Sequence, residues 1–405
     1  MTHPTDPLHL AETIVEEEHE LADSDRAVEG AEADDAPLPV VVPTAIGRRQ
    51  WPLPKQADPN APLLVVEDLK TYFKLESGMV HAVDGVSFHL DHGEALGIAG
   101  ESGCGKTTTA LSLVRILPPN AVTVGGSIKL MGIDLVKKSE NALRRYRWRE
   151  ISIVFQGAMN ALNPVIRVRD QIAEPIEQRL GLSQKASRKR AGELLDLVGI
   201  PKKRGSAYPH ELSGGMRQRA MIAMALACDP AIVIGDEPTT ALDVMVQAQI
   251  LDLLDDLRRK LGLSLILTTH DLSVIAESCD RVMIMYAGKV AEEGTVNEVF
   301  RHPRHPYTQK LLSAFPNIHA DRRTLDTIPG SPPDLRDPPP GCRFAPRCPF
   351  VMAVCSEVVP PETTFGGVRV ACHLYPQDGD GVPVTKAPAN AIGHDASTTV
   401  GASGG

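Results

Sequence analysis

Residues 100–107, Gly100-Glu101-Ser102-Gly103-Cys104-Gly105-Lys106-Thr107, form the run whose chemistry is most plainly written. They fit G-x-x-x-x-G-K-[ST] and stand between an apolar run, ALGIA, and a helical one, TTTALSLVRIL. The glycines let backbone N–H groups from Gly100 through Ser102, Gly103, Cys104 and Gly105 to Thr108 turn inward around phosphate oxygens. The helix that follows presents its positive end to the same oxygens. Lys106 is placed to reach the β- and γ-phosphates, and the Thr107 hydroxyl to ligate Mg²⁺. A glycine-rich turn with an incidental lysine would not require both flanks. Cys104 occupies a variable position and reads as a small filler, not a nucleophile.

A nucleotide site needs a further carboxylate, and Ala231-Ile232-Val233-Ile234-Gly235-Asp236-Glu237-Pro238 supplies two. A buried strand would deliver Asp236 at its C-terminal end, where α/β sheets bind ligands, to hold Mg²⁺ through water. Glu237 is then placed to orient or deprotonate the attacking water. The competing reading, a capping pair before Pro238, does not account for the phosphate loop in the same chain. Leu212-Ser213-Gly214-Gly215-Met216-Arg217-Gln218-Arg219 comes shortly before that strand. Ser213 reads as an N-cap, with the helix from Met216 onward, and Gly214 and Gly215 make a bare helix start, which is a second anion site. One γ-phosphate does not need two such starts. The surplus makes sense if the second serves the nucleotide of a partner subunit.

With those residues in place, residues 63–300 resemble the nucleotide-binding subunit of an ATP-binding cassette (ABC) transporter. The motifs occur in the family's order: Phe73 (with Tyr72 as rival) before the phosphate loop, Gln156 in IVFQGAMNALNP, LSGGMRQR, Asp236 and Glu237, Ala241-Leu242-Asp243, and His270 in ILTTHD. The resemblance implies that Phe73 stacks on adenine and that Gln156 touches Mg²⁺ and water while linking to a membrane subunit. It also implies that Asp243 lies at a dimer seam and that His270 contacts the γ-phosphate. Met216 departs from the glutamine common in the family; Ser213 and Gly215 do not. FQGAMNALNPVIRV and HPRHPYTQKLLSAFP, followed by GCRFAPRCPF and two further cysteines, look like the oligopeptide/dipeptide importer branch, D- or F-type, with coverage to about residue 376.

Cys342, Cys348, Cys355 and Cys372 have the spacing C-x5-C-x6-C-x16-C. Four thiols within so short a segment imply a soft metal centre. Structural zinc pairs its ligands more closely, as C-x2–4-C, whereas uneven spacing is compatible with an iron–sulfur cluster; reduced, unligated thiols are the third reading. The branch resemblance implies a [4Fe-4S] cluster on these four residues. Cys228 and Cys279 read as packing residues. His302, His305 and His373 carry metal-binding chemistry, but the proline-bounded HPRHPY reads as an ordered turn.

These groups require an alternating β/α frame. Ala95–Ala99 and Ala231–Ile234 are short apolar runs ending at glycine, as buried strands are. Val246, Ile250, Leu253, Leu254 and Leu257 share a helix face, and Ser264–Thr269 reads as the next strand. The fold class expected is α/β with a largely parallel sheet. In the form the resemblance implies, it is a RecA-like core with an antiparallel β subdomain and a helical subdomain, plus a small Cys-rich C-terminal extension.

The 405 residues carry a net charge of −9, of which −11 falls in residues 1–37 (12 acidic residues against Arg26), leaving +2 for the rest. That acidic segment has no aromatic residue and reads as a disordered tail, as does the Gly/Ala/Ser-rich end from 377. The division expected is thus a tail and linker (1–62), an ATPase domain (63–300), an extension (301–376) and a second tail (377–405). A net-acidic chain is a poor candidate for coating nucleic acid. No apolar run is long enough to span a bilayer, and MTHPTDPLHLAET has neither the basic nor the apolar region of a secretory signal, so the chain is expected in the cytosol.

The reading is a peripheral ATPase at the cytoplasmic face of the membrane. It would pair with a second ATPase subunit, work on two membrane permeases, and act indirectly with an extracytoplasmic solute-binding protein to import peptides, with nickel or another solute as the alternative cargo. A soluble ABC ATPase of translation or repair would carry two cassettes or a long coiled-coil insertion, and this chain has neither. An iron–sulfur redox sensor that merely binds ATP would not need the full set of catalytic motifs.

Overall fold

A computed structural model of the chain describes residues 61–157, 161–240, 242–314 and 328–375. The acidic segment, its linker up to residue 60 and the C-terminal tail lie outside the described residues, as does Ala241. Two long strands, β1 (Leu64–Leu75) and β2 (Gly78–Leu90), pair antiparallel. With β4 (Ala121–Leu130) and β5 (Ile133–Asp134) they make a four-stranded sheet in the order β2-β1-β4-β5.

The larger sheet contains β3 (Ala95–Ala99), β6 (Ile151–Val154), β7 (Ile232–Asp236), β8 (Ser264–Thr269), β9 (Arg281–Tyr286) and β10 (Lys289–Thr295). Strands β9, β3, β8, β7 and β6 run parallel side by side. Both faces of this parallel core are covered, which is why its strands read as unbroken apolar runs. Ala95, Val233 and Leu265 pack toward the helices, whereas Leu96, Ile98, Ile232, Ile234 and Ile266 pack toward the small sheet. Each of these valine, leucine and isoleucine side chains taken fully out of water stabilises by roughly 1.5–3 kcal/mol.

Helix α1 (Lys106–Leu113) follows the phosphate loop and stops short of the TTTALSLVRIL run, because Arg115 turns left-handed and Pro118 and Pro119 follow. Helix α2 (Glu140–Tyr146) precedes β6. Helices α3 (Val168–Leu180), α4 (Gln184–Leu197) and α5 (Gly214–Ala225) pack together as a helical layer. Helix α5 begins at Gly214, two residues before the start read from sequence. Ser213 is its N-cap and accepts from the Met216 N–H at 3.3 Å, which places both glycines in the first turn. Helix α6 (Val244–Leu261) buries Ile250, Leu254 and Leu257, the face the spacing indicates, and α7 (Leu272–Ser278) connects β8 to β9.

Beyond β10 come α8 (Val296–Arg301), α9 (Pro306–Ser313), α10 (Ala353–Glu357) and the hairpin β11 (Glu362–Phe365) and β12 (Val368–Ala371). Strand β12 pairs antiparallel with β10, setting Val370 opposite Glu292. The sheet is therefore eight-stranded, in the order β11-β12-β10-β9-β3-β8-β7-β6, and residues past 300 complete one edge of it. Tyr307, Phe344 and Val368 share a core cluster with Val282, Ile284 and Tyr286. Among the described residues, no helix is long and apolar enough to cross a membrane.

Candidate functional site

The loop between β3 and α1 is shaped by close backbone approach. Gly105, at φ 107, caps α1, and a Cβ there would lie 2.3 Å from the Ala82 carbonyl oxygen. At Gly100 a Cβ would lie 2.2 Å from the Met285 carbonyl oxygen. No side chain fits either position. Ser102, Gly103 and Thr107 are exposed on the rim, while Cys104 and Lys106 are buried. Burial pushes the Cys104 thiol up, which agrees with a filler and not a nucleophile. Lys106 Nζ donates to the carbonyls of Gly100 at 2.8 Å and Glu101 at 3.2 Å, so the ammonium is parked at the loop's entrance. Thr108 turns its carbonyl to the Ser112 hydroxyl.

The ends of β7 and β8 bring the acidic groups to that loop. Asp236 pairs in register with Thr268, and Asp236 Oδ1 accepts from Thr268 Oγ1 at 2.6 Å and from Thr107 Oγ1 at 3.1 Å. Burial raises the Asp236 carboxyl above its ordinary value, and the two hydroxyls work in the opposite direction. Glu237 turns left-handed, at φ 45, immediately after β7. Three side chains converge on it: Gln156 Nε2 donates to Oε2 at 2.9 Å, Thr240 Oγ1 donates to Oε2 at 3.0 Å, and His270 Nδ1 stands 3.4 Å from Oε1. Glutamine, glutamate and histidine, 81 and 33 residues apart in the chain, thus meet at one carboxylate.

Of the two aromatic candidates, Tyr72 is engaged. Its hydroxyl donates to Asp84 Oδ1 at 2.7 Å, and its ring stacks on His81 with centroids 4.2 Å apart. Phe73 is partly exposed near the end of β1. Among the described residues, no hydrogen bond joins Ser213, Gly214 or Gly215 to the phosphate loop; a Cβ on Gly215 would lie 2.7 Å from Val246 of α6. Asp243 caps α6, accepting from the Val246 N–H at 3.0 Å.

Cys342, Cys348, Cys355 and Cys372 come from separate segments of the extension and line one small cavity with His305 and Phe344. Burial raises the thiols of Cys342, of Cys348 (to about 11) and of Cys372 (to about 12). Among the described residues, no three His, Cys, Asp or Glu side chains are grouped closely enough to hold a metal ion. The three histidines are otherwise occupied or peripheral. His305 is buried as the N-cap of α9, accepting from the Tyr307 N–H at 3.0 Å, and burial lowers it to about 4; His373 Nε2 bonds the Val358 carbonyl, and His302 is exposed. Cys228 and Cys279 pack in the core with their thiols raised to about 12 by burial.

Four groups of the site were not singled out in the sequence. Thr268 and Thr240 hold the two carboxylates, and Tyr307 and Arg347 of the extension reach the phosphate loop at Glu101. Thr268 carried a readable signal, since it stands two residues before His270 at the end of a strand that must neighbour Asp236. Arg347 carried none beyond its place beside Cys348.

A family model described as "ABC transporter" matches residues 83–240, and one described as "Oligopeptide/dipeptide transporter, C-terminal region" matches residues 291–355. The dipeptide transport ATP-binding protein of Bacillus subtilis is 49% identical over 319 residues, 78% of this chain and 95% of its own. The oligopeptide transport ATP-binding protein OppD of the same organism is 49% identical over 303 residues, 74% of this chain and 85% of its own. A probable peptide ABC transporter ATP-binding protein of Sinorhizobium fredii is 49% identical over 310 residues, 75% of this chain and 92% of its own. A solved dimeric ATP-binding cassette in a post-hydrolysis state, bound to ADP and phosphate, is similar over 57% of this chain and 98% of its own, with a TM-score of 0.53 and 27% identity. Two family models and relatives 49% identical over about three quarters of the chain thus agree, and the chain belongs to the ABC transporter ATP-binding proteins, in their oligopeptide/dipeptide branch.

Proposed function

We propose that this chain energises peptide uptake by hydrolysing ATP at the β3–α1 loop, with Glu237 orienting the attacking water and taking up its proton. The water oxygen forms a bond to the γ-phosphorus as the bond to the ADP oxygen breaks, and the proton leaves through the carboxylate. The observation that carries this reading is the shared hold of Gln156, Thr240 and His270 on Glu237. Those contacts gather the carboxylate, the glutamine and the histidine at one point before the substrate arrives. On ATP binding Lys106 exchanges its two carbonyl partners for the β/γ oxygens, and His270 turns to the γ-phosphate. Phe73, free of the partners that occupy Tyr72, stacks on adenine.

Thr107 and Asp236 fit Mg²⁺, being an oxygen pair already within 3.1 Å of each other, with Gln156 completing the set. The ion supplies charge neutralisation between the β- and γ-phosphates. Ser213, Gly214 and Gly215, which have no hydrogen bond to their own phosphate loop among the described residues, serve the nucleotide of a second ATPase subunit, with Asp243 at the seam. Two membrane permeases, and through them an extracytoplasmic solute-binding protein, complete the assembly; the chain sits at the cytoplasmic face. The working units are residues 63–300 and 301–376.

For the cysteine cavity the reading is a [4Fe-4S] centre on Cys342, Cys348, Cys355 and Cys372. The four thiols line one cavity, two of them buried and two half-buried, and their uneven spacing is compatible with such a cluster. Such a centre would hold together a proline-rich segment that has little core of its own.

Glu237→Gln tests the catalytic assignment. The variant keeps the contacts of a planar polar group but cannot accept the proton, so it should retain ATP and lose turnover by about 100-fold or more. Turnover at the wild-type rate would refute the role given to Glu237.

A further inference from the structure

The phosphate loop carries a carboxylate, Glu101, at the place where a triphosphate brings several negative charges. Left unpaired, it would oppose binding. Its partner lies 246 residues away in the C-terminal extension. Arg347 Nη1 donates to Glu101 Oε2 at 2.7 Å, and Arg347 Nη2 donates to Oε1 at 3.0 Å, a two-pronged pair. The arginine side chain is 5% exposed. Its Nε donates to the Pro329 carbonyl at 2.8 Å and Nη1 to the Tyr286 hydroxyl at 3.2 Å, so the guanidinium has one available position.

The main chain of Glu101 is held as well. Its N–H donates to the Tyr307 hydroxyl at 2.9 Å, and its carbonyl accepts from Lys106 Nζ at 3.2 Å. Arg347 closes a short 3-10 turn, Ala345–Arg347, that lies between Cys342 and Cys348. The Ala345 N–H bonds the Cys342 carbonyl, and the Cys348 N–H bonds the Ala345 carbonyl. The turn that aims the guanidinium is therefore tied at both ends to cysteines of the cavity.

We propose that Arg347 is a positioning residue for ATP binding: it neutralises Glu101 and fixes the entrance of the phosphate loop, so that the cysteine-bearing extension sets the affinity for ATP. The inference rests on the ATPase reading above and adds a residue outside the cassette motifs to it. The same contacts explain why Tyr307 and Phe344 are packed against Tyr286, the residue that backs the guanidinium.

The test uses the full-length chain, with equilibrium binding of Mg-ATP and Mg-ADP and turnover at saturating ATP in R347A, R347K, E101Q and the E101Q/R347A double variant. R347A should weaken ATP about tenfold, equivalent to ~1.4 kcal/mol. It should weaken ADP less, because the penalty grows with phosphate charge, and saturating turnover should stay within threefold. R347K, which keeps the charge but not the two-pronged geometry, should fall between. In the E101Q background, R347A should move ATP affinity by no more than twofold. An equal loss of affinity in both backgrounds would mean that Arg347 only holds the extension together, and an unchanged affinity in R347A would remove the role altogether; either result overturns the proposal. Failure of the unsubstituted chain to bind Mg-ATP would instead overturn the ATPase reading.

Discussion

Thr268→Val removes one hydroxyl at nearly constant volume from a fully buried position between the two acidic residues. In the resting site Asp236 Oδ1 has two hydroxyl donors, Thr107 and Thr268. With Mg²⁺ bound, Thr107 would turn its oxygen to the metal, leaving Thr268 as the hydroxyl that favours the ionised form of Asp236. A hydrogen bond to a charged group contributes about 1.5–3 kcal/mol, and the buried site admits no water to replace it. The Mg²⁺ concentration for half-maximal turnover should therefore rise by roughly tenfold to a hundredfold. The direction with pH follows from the same contact. Burial already raises the Asp236 carboxyl, and loss of the Thr268 donor raises it further. The residue must be ionised to hold Mg²⁺, so the acid limb of the pH–rate profile moves to higher pH, and activity is lost earlier as pH falls. The assay is steady-state phosphate release against Mg²⁺ at several pH values in wild type, T268V and T268S. The serine variant keeps the hydroxyl and should stay near wild type. If T268V shows the wild-type Mg²⁺ requirement and acid limb, Thr268 does not act through Asp236 and the reasoning is wrong.

Two further outcomes follow from the side chains around the nucleotide and the cavity. Phe73→Ala should raise the ATP concentration for half-maximal turnover about tenfold through loss of ring stacking, whereas Tyr72→Phe, which removes the bond to Asp84, should lower the urea midpoint with little change in that concentration. Chain purified without oxygen should contain iron and acid-labile sulfide in equal amounts, with visible absorbance that disappears in Cys355→Ala; zinc bound without sulfide would contradict the cluster assignment.

What could be read in the sequence is what phosphate chemistry forces to be contiguous. Gly100, Gly105, Lys106 and Thr107 lie within one turn and its helix start, so their spacing alone names their ligand. Asp236 and Glu237 were legible because a buried strand can place carboxylates only at its end. The strands Ala95–Ala99 and Ser264–Thr269 appear as read, since an apolar run covered on both faces has few other uses. Thr268 is legible only as a strand-end residue two before His270; its pairing with Asp236 depends on the register of β8 against β7, which no local pattern encodes. The signature helix begins at Gly214 because its Ser213 cap bonds the Met216 N–H, a geometric fact that spacing places only to within a turn.

The extension shows the same limit more sharply. Read along the chain, residues past 300 look like an appendage on a finished cassette, with its own cysteine chemistry. Their packing makes them part of the catalytic unit's construction. Strand β12 covers the edge that β10 would otherwise expose, and an open edge of that kind invites pairing with another chain. Tyr307 and Phe344, at 0% and 1% exposed, fill the core beneath Tyr286, and from that core Tyr307 and Arg347 reach Glu101. A side chain that both completes the core and pairs with the phosphate loop cannot shift without moving the loop. The extension and the phosphate loop are thus mechanically continuous, and the cysteine cavity has a short covalent path, through the turn Ala345–Arg347, to the arginine paired with Glu101.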